Sequence, residues 1–266
     1  RRWPPFAFAA AASAPAIRLP AMDPHATDAP FALVGFDADD TLWKSEDYYR
    51  HAQAEFERIL SAYVDVADVA QRLYAVEKRN IALFGYGVKG MTLSMIEAAV
   101  DVTQSRVSAA DLHRIVGLGK ELLQHPVEVL PGVAAAVAEV ARDWPVVLIT
   151  KGDLFHQETK VRQSGLADLF PRIEIVSEKD PPTYARVLRE FDIAPGRFLM
   201  VGNSMRSDIA PVLALGGWGV HVPYHVTWVH DLLDAPPADT ARLRSVESIA
   251  ALPAALRALC AEGAPA

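Results

Sequence analysis

The sequence predicts an α/β fold, with a Rossmann-like core built on a parallel sheet and a mainly α-helical cap domain. From residue 131 onwards, short continuous apolar runs alternate with amphipathic stretches. This alternation is typical of parallel strands that are buried on both faces and joined by helices. The first apolar run, Phe31–Phe36, stands apart, because a long stretch of helical pattern separates it from the next strand. An insertion after the first strand explains both observations.

The composition limits the class of protein. The chain has 266 residues, of which 51% are hydrophobic and 22% charged, as in ordinary globular proteins. The 26 Lys and Arg residues against 33 Asp and Glu give a formal net charge of −7. A general binder of nucleic acid or anionic membrane needs a basic face instead, and no apolar run is long enough to span a bilayer. With Cys260 as the single cysteine, we expect a cytoplasmic protein without nucleic-acid or membrane partners, and its oligomeric state stays open.

The first residues do not share the pattern of the rest. The chain begins at Arg1, and an Ala- and Pro-rich stretch precedes Met22. We predict that residues 1–30 form a disordered or mis-annotated extension, with Met22 as the true start. A signal or transit segment and a functional tail are the alternatives.

The insertion is predicted to be helical. Apolar residues recur at helical spacing from Ala52 to Tyr63, which places them on one face of a first helix. A glycine-rich turn interrupts the insertion, and Lys89 in this turn is expected to be solvated rather than to contact a substrate. Further helices are predicted over three ranges, Val66–Phe84, Met91–Val102 and Ser108–Leu123.

The core elements follow from the strand–helix alternation, which predicts a parallel sheet of at least five strands. Besides Phe31–Phe36, the predicted strands are Val146–Thr150, Ile173–Val176, Phe198–Val201 and Gly219–Val222. The predicted helices are one after Pro131-Gly132 and those over Glu158–Ser164, Tyr184–Phe191, Asp208–Leu215 and Ile249–Cys260. We assign residues 31–44 and 130–266 to the core, and residues 45–129 to the cap.

Four polar clusters follow apolar strands of the predicted sheet. They are Asp37–Thr41, Thr150–Asp153, Glu178–Asp180 and Gly202–Asp208. Because the carboxyl ends of parallel strands meet at one edge, these clusters are expected to converge in one cleft, which is where open α/β sheets bind ligands. The insertion begins directly after the first cluster and is placed to cover that cleft.

The predicted cleft holds three carboxylates, from Asp37, Asp39 and Asp208, which would repel one another strongly at low dielectric. A divalent cation compensates such repulsion, and an all-oxygen site suits Mg²⁺. Thr150 adds a hydrogen-bond donor and Lys179 a positive charge, so the set describes a phosphoryl-transfer site. Taken singly, each residue has an ordinary structural explanation as a turn, helix-cap or surface residue. Their joint occurrence on successive strand ends favours the site.

These segments resemble the motifs of the haloacid dehalogenase-like hydrolase superfamily. The matching pieces are Leu33–Trp43, Val147–Thr150, Lys179 and Met200–Asp208, and the insertion resembles the family's helical cap. The resemblance implies a Mg²⁺-dependent phosphatase that acts on a small phosphorylated metabolite.

The resemblance also implies roles for individual residues. Asp37 would be the nucleophile that becomes an aspartyl-phosphate, and Asp39 the general acid and base. The implied metal ligands are Asp37, Asp39 through its backbone carbonyl, and Asp208. The implied substrate-binding residues are Thr150, Lys151 and Lys179.

Asp39 also favours one branch of the family, because its true dehalogenases lack this second aspartate and use no metal. A dehalogenase-type C–X hydrolase and a non-catalytic phosphate-binding or regulatory protein are the alternatives. Two residues depart from the family pattern. Asp40 replaces a usual glycine, and we expect it to face solvent as a helix-cap residue rather than to tune the metal. Asn203 replaces a frequent aspartate, which keeps an oxygen ligand but removes one charge.

Overall fold

The computed structural model describes residues 29–232 and 240–263. The expectation for residues 1–30 therefore lies outside the described residues, apart from the last two. Within them, six strands form one sheet in the order β3-β2-β1-β4-β5-β6, and every neighbouring pair is parallel. The strands are β1 (Leu33–Phe36), β2 (Val146–Lys151), β3 (Arg172–Val176), β4 (Phe198–Gly202), β5 (Trp218–His221) and β6 (Leu243–Ser245). The predicted Rossmann-like parallel sheet is confirmed.

The helices occupy two regions of the molecule. Four form the insertion that follows β1, namely α1 (Glu46–Leu60), α2 (Val69–Phe84), α3 (Val88–Val102) and α4 (Ala109–Gln124). The remaining helices flank the sheet and are α5 (Val133–Asp143), α6 (Leu154–Ser164), α7 (Pro181–Glu190), α8 (Ala210–Ala214) and α9 (Leu252–Gly263). Among the described residues, no helix combines the length and the apolar character needed to cross a membrane.

Strand β1 lies inside the sheet, paired with β2 and β4, and all four of its residues are apolar or glycine and are buried. Side chains alternate between the two faces of a strand. Leu33 accordingly joins the apolar cluster that includes Val187 of α7, whereas Phe36 joins the cluster that includes Val137 of α5 and Leu256 of α9. The sheet is therefore covered on both faces, as its continuous apolar strands require.

Helices α1 to α4 pack on a third apolar cluster of their own, with Phe56, Leu73, Met95 and Ile115 contributed by successive helices. The chain leaves and re-enters the core side by side, because the Lys44 amide donates to the Glu128 carbonyl at 3.0 Å. This junction follows the carboxyl end of β1 directly. The four helices are thereby held over the edge of the sheet that carries the polar clusters.

Several helices begin earlier than their apolar pattern indicates. Helix α6 starts at Leu154 rather than at Glu158, with the Asp153 carboxylate accepting from the His156 amide at 3.0 Å. Helix α7 starts at Pro181, where Asp180 caps it in the same way. The first turns of these helices lack a buried apolar face, since Leu154 and Phe155 are exposed and α7 begins with two prolines, so the apolar pattern underestimates both helices. The sixth strand, β6, has only three residues and was too short to leave a pattern.

Candidate active site

A cavity of about 120 Å³ lies at the carboxyl edge of the sheet, beneath α1 and the turn before α3. Its lining includes residues from all four polar clusters. Every site residue predicted from the sequence is among them, namely Asp37, Asp39, Thr150, Lys151, Lys179 and Asp208. The structure thus brings the six residues together, while the roles assigned to them stay predictions.

Lys179 links the two buried carboxylates at the bottom of the cavity. Its ammonium contacts Oδ1 of Asp37 and lies 2.6 Å from Oδ1 of Asp208. The side chains of Lys179 and Asp208 are only 2% and 1% exposed. Burial and the neighbouring Asp208 carboxylate raise the pKa of Asp37 to about 7, against the opposing effect of Lys179. Burial works against the charged form of Lys179, but the two carboxylates raise the pKa of this lysine well above its ordinary value.

Local backbone structure fixes the position of Asp208. Its Oδ2 accepts a hydrogen bond from the Ser204 amide at 2.9 Å, within the turn that follows β4. A Cβ atom at Gly202 would overlap the Asp208 carboxylate, so glycine is required where the strand passes this close to it. Asn203 stays at the edge of the cavity, with its amide oxygen 3.2 Å from the Thr41 hydroxyl.

Thr41 connects the loops that follow β1 and β4. Its hydroxyl lies 3.0 Å from Oδ2 of Asp37. The same hydroxyl accepts a hydrogen bond from the backbone N–H of Asn203 at 3.0 Å. Both oxygens of Asp37 are therefore engaged, one by Lys179 and one by Thr41. The sequence contained the signal for this contact, because Thr41 stands four residues after Asp37 in the first polar cluster.

Asp39 is held by residues that the sequence analysis did not single out. Lys160 lies 2.6 and 2.8 Å from its two carboxylate oxygens, and Gln157 donates to Oδ2 at 2.9 Å. The indole of Trp43 donates to Oδ1 at 2.7 Å. Burial opposes the charged form, but Lys160 and these hydrogen bonds lower the pKa of Asp39 below its ordinary value. Asp39 is therefore an ionised carboxylate in a fixed orientation.

The second cluster contributes Thr150 and Lys151. The Thr150 hydroxyl accepts a hydrogen bond from the side-chain amide of Gln157 at 2.8 Å, so the hydroxyl hydrogen of Thr150 is available to a ligand. The Lys151 ammonium is 2.9 Å from the Ser207 hydroxyl and 3.3 Å from Asp231. It also lies over the ring of Tyr86 from the cap, 4.3 Å from the centroid.

Asp40 does not face solvent, contrary to the expectation from its sequence position. Its side chain is buried, and its carboxylate accepts from the backbone amides of Ser45 and Glu46 at the start of α1. Asp40 therefore does cap helix α1. It does so inside the protein, because the inserted helices fold over this loop. The backbone of Asp40 has a φ of 62°, in the left-handed region where glycine is favoured.

We expect Asp40→Gly to be more stable than Asp40→Ala by about 1 kcal/mol. Both variants lose the carboxylate that caps α1, but only alanine keeps a Cβ atom at the positive φ. For a chain of this size the difference corresponds to about 2–4 °C in Tm. Thermal unfolding of the two variants measures it, and equal Tm values would show that the loop relaxes to a negative φ.

The cap reaches the cavity through the turn before α3. The Tyr86 hydroxyl donates to Glu178 at 2.5 Å, and Gly87 lies beside it in the cavity wall. Lys89 is exposed, as expected, but its ammonium also pairs with Asp153 of the core at 2.9 Å. Polar contacts between cap and core therefore surround the cavity.

Glu46→Gln is expected to raise the Tm at alkaline pH. Burial and then the nearby Asp40 carboxylate raise the pKa of Glu46 from the ordinary 4.5 to about 8. The folded state thus holds this proton more tightly than the unfolded chain does, and stability is lost as the pH rises through that range. Glutamine stays uncharged, so the variant should gain a few degrees at about pH 9 and nothing at about pH 4. Glu121→Gln, at an exposed glutamate of α4, is the control and should show no such pH-dependent gain.

The donor set fits a hard divalent cation. Among the described residues, no group of three or more His, Cys, Asp and Glu side chains is arranged around a common metal position. Asp37 and Asp208 nevertheless converge on one ammonium, and their repulsion contributes to the raised pKa of Asp37. Because Lys160 engages the Asp39 carboxylate, the group that Asp39 can offer to a metal is its backbone carbonyl. Two carboxylates and a carbonyl are oxygen ligands of the kind that Mg²⁺ prefers.

A carboxylate-lined cavity at the carboxyl edge of a parallel sheet, beneath a helical cap, defines a class of capped Rossmann-like enzymes. A family model described as haloacid dehalogenase-like hydrolase matches residues 31–216, which is more than half of the chain. The chain therefore belongs to the haloacid dehalogenase-like hydrolase family.

Solved structures support this assignment. The chain is 60% identical to a haloacid dehalogenase-like family hydrolase from Xanthomonas campestris, with a TM-score of 0.79 and coverage of 88% of this chain and 94% of that one. A 2-haloacid dehalogenase from Pseudomonas syringae has a TM-score of 0.57 at 20% identity, covering 86% and 99% of the two chains. A predicted phosphoglycolate phosphatase from Haemophilus somnus has a TM-score of 0.56 at 16% identity, covering 84% and 96%. No curated protein sequence matches this chain. The distant neighbours share the fold, and the fold alone does not select the reaction.

Proposed function

We propose that the protein is a Mg²⁺-dependent phosphatase that hydrolyses a small phosphorylated metabolite, a phosphate monoester, through an aspartyl-phosphate on Asp37. The observation that carries the proposal is the presence of a second aspartate, Asp39, in the same cavity as Asp37. Hydrolysis of a C–X bond needs one carboxylate nucleophile, whereas a phosphate ester also needs a proton for its leaving oxygen. Lys179 supplies the positive charge that a phosphoryl group requires beside that nucleophile.

In the first step, a carboxylate oxygen of Asp37 attacks phosphorus. The bond between the Asp37 oxygen and phosphorus forms as the bond between phosphorus and the alcohol oxygen breaks. Asp39 gives its proton to the departing alcohol oxygen. Lys160 keeps Asp39 ionised in the free protein. A substrate that binds as its monoanion brings the proton that Asp39 then passes on.

In the second step, water attacks the phosphorus of the aspartyl-phosphate and gives a proton to Asp39. The bond between Asp37 and phosphorus breaks, and inorganic phosphate leaves. The ionised form of Asp39 that Lys160 favours is the one needed here as a base.

The phosphoryl oxygens would meet the Thr150 hydroxyl and the Lys179 ammonium. The carboxylates of Asp37 and Asp208, with the Asp39 carbonyl, would hold Mg²⁺. When bound, the metal would offset the negative charge of the phosphoryl group and of the two carboxylates.

The test is hydrolysis of p-nitrophenyl phosphate with Mg²⁺ and with EDTA, beside halide release from 2-chloropropionate. We expect turnover of the phosphate ester that falls at least about 100-fold in EDTA. Metal-independent halide release would show that the protein is a dehalogenase rather than a phosphatase. Binding of Mg²⁺ and phosphate without turnover of any phosphate ester would support a non-catalytic role instead.

A further inference from the structure

A second and larger cavity adjoins the first. It has a volume of about 460 Å³ and lies between α1, α2, α3 and residues 227–229 of the core. The two cavities share part of their walls, which are formed by Glu46, Tyr49, Tyr86, Gly87 and Trp228. A phosphate ester whose phosphorus lies beside Asp37 would therefore extend its alcohol portion into this second cavity, which we call the leaving-group chamber.

A row of aromatic rings runs from the cap to the core, and three of its members, Tyr74, Tyr86 and Trp228, line the leaving-group chamber. Tyr74 stacks on His230 with ring centroids 4.6 Å apart, and His230 lies 4.7 Å from Trp228. Trp228 in turn meets Tyr86 at 5.7 Å. Two of these rings already attract an ammonium, because Lys151 Nζ lies 4.3 Å from the Tyr86 centroid and 5.7 Å from that of Trp228. Such a wall recognises cations through the negative faces of its rings.

The charged side chains of the leaving-group chamber also favour a cationic ligand. Glu46 and Glu77 line it, and Asp231 lines the adjoining cavity. Lys151 is already paired with Asp231 and approaches Glu178 at 3.7 Å, so it brings no free positive charge. Among the described lining residues of the chamber, the single Lys or Arg is Arg50, which is exposed. Glu77 lies 3.5 Å from Nε2 of His230, and Glu46 has its pKa raised to about 8 by burial and Asp40. A cation bound beside Glu46 would favour its ionised form, so this surface suits a positively charged ligand better than an anion.

We propose that the leaving-group chamber binds an ammonium or quaternary ammonium group, so that the substrate is the phosphate ester of an amino alcohol. This inference rests on the proposed function for the phosphoryl end of the substrate. The two ends of such a zwitterion match the two cavities. The phosphoryl group meets Lys179, and the cationic end meets the aromatic row together with Glu46 and Glu77. An anionic leaving group would instead have to approach Glu77 and the negative faces of the rings.

The first experiment measures binding without catalysis. Choline and its uncharged isostere 3,3-dimethylbutanol differ only in the replacement of the nitrogen cation by carbon, and both are titrated against the wild-type chain by calorimetry. We expect choline to bind at least about tenfold more tightly, because only the cation gains from the aromatic and carboxylate groups. Equal affinities, or a preference for the uncharged alcohol, would overturn the inference.

The second experiment uses the matching phosphate esters. Phosphocholine should exceed 3,3-dimethylbutyl phosphate in kcat/KM at least about tenfold, and phosphoglycolate should be the poorest of the three. Glu77→Gln and Trp228→Leu should each reduce this ratio at least about threefold. Glu55→Gln is the matched control, since that carboxylate pairs with Arg58 outside the chamber, and its ratio should equal that of the wild type.

The outcomes separate the two proposals. Hydrolysis of p-nitrophenyl phosphate without a preference for phosphocholine would leave the phosphatase in place and reject the ammonium site. A preference for choline in the titration, with no hydrolysis of any phosphate ester, would support the ammonium site and reject the phosphatase. A preference for phosphoglycolate would show that Arg50 governs recognition, and the ammonium site would fall.

Discussion

Asp37→Asn is expected to lower the turnover of p-nitrophenyl phosphate at least about 10³-fold. The amide is nearly the same size as the carboxylate but is a far poorer nucleophile, so the aspartyl-phosphate cannot form. Lys160 and Gln157 contact Asp39 and not Asp37, so Asp39, the proposed general acid and base, should stay in place. Steady-state kinetics with saturating Mg²⁺ measures the loss.

Stability provides the control for this variant. Burial and the Asp208 carboxylate raise the pKa of Asp37 from the ordinary 3.8 to about 7. The metal-free folded state therefore loses stability, relative to the unfolded chain, as the pH rises between those values. An uncharged asparagine escapes that loss, so at about pH 8 in EDTA the variant should melt no lower than the wild type. Retained turnover would remove Asp37 from the role of nucleophile, and a lost turnover with a much lower Tm would make the effect structural.

The sequence was sufficient for the parts of the fold and the site that rest on backbone topology. Buried parallel strands such as β1 and β4 leave continuous apolar runs, and acids placed directly after such strands must meet at one edge of the sheet. Asp37 and Asp208 lie 171 positions apart in the chain yet share one lysine contact. Their placement on one edge followed from the parallel direction of the strands, whereas the pairing of β1 with β4, which brings them close together, was seen only in the structure.

Contacts made by helix side chains could not be predicted from the sequence. Lys160 and Gln157 reach Asp39 from α6, whose first turn carries the exposed Leu154 and Phe155 and so offered no buried apolar period. The orientation of Asp40 depended on how α1 folds back over its loop, which no local pattern encodes. The leaving-group chamber likewise results from packing between cap helices and core residues distant in sequence, among them Trp228.

Lys179→Met is expected to produce the largest loss of stability in the metal-free protein. The ammonium is the cation that contacts both Asp37 and Asp208, and its removal leaves two buried carboxylates without that partner. Breaking a buried ion pair by removing one member typically costs about 3–5 kcal/mol, which corresponds to roughly 6–20 °C in Tm for a chain of this size. Lys44→Met, at an exposed pair with Glu128, is the matched control and should cost no more than about 1 kcal/mol.

Mg²⁺ should oppose the defect in Lys179→Met without restoring activity. Two carboxylates freed from their ammonium attract a divalent cation more strongly, so added Mg²⁺ should raise the Tm of the variant by more degrees than that of the wild type. Turnover should nevertheless stay at least about 100-fold below wild type, because the positive charge beside the phosphoryl group is gone. Thermal unfolding in EDTA and in Mg²⁺, together with phosphatase assays, measures both effects. Equal Mg²⁺-induced shifts in the two proteins would show that Asp37 and Asp208 do not hold the metal, and the ligand set would have to be sought elsewhere in the cavity.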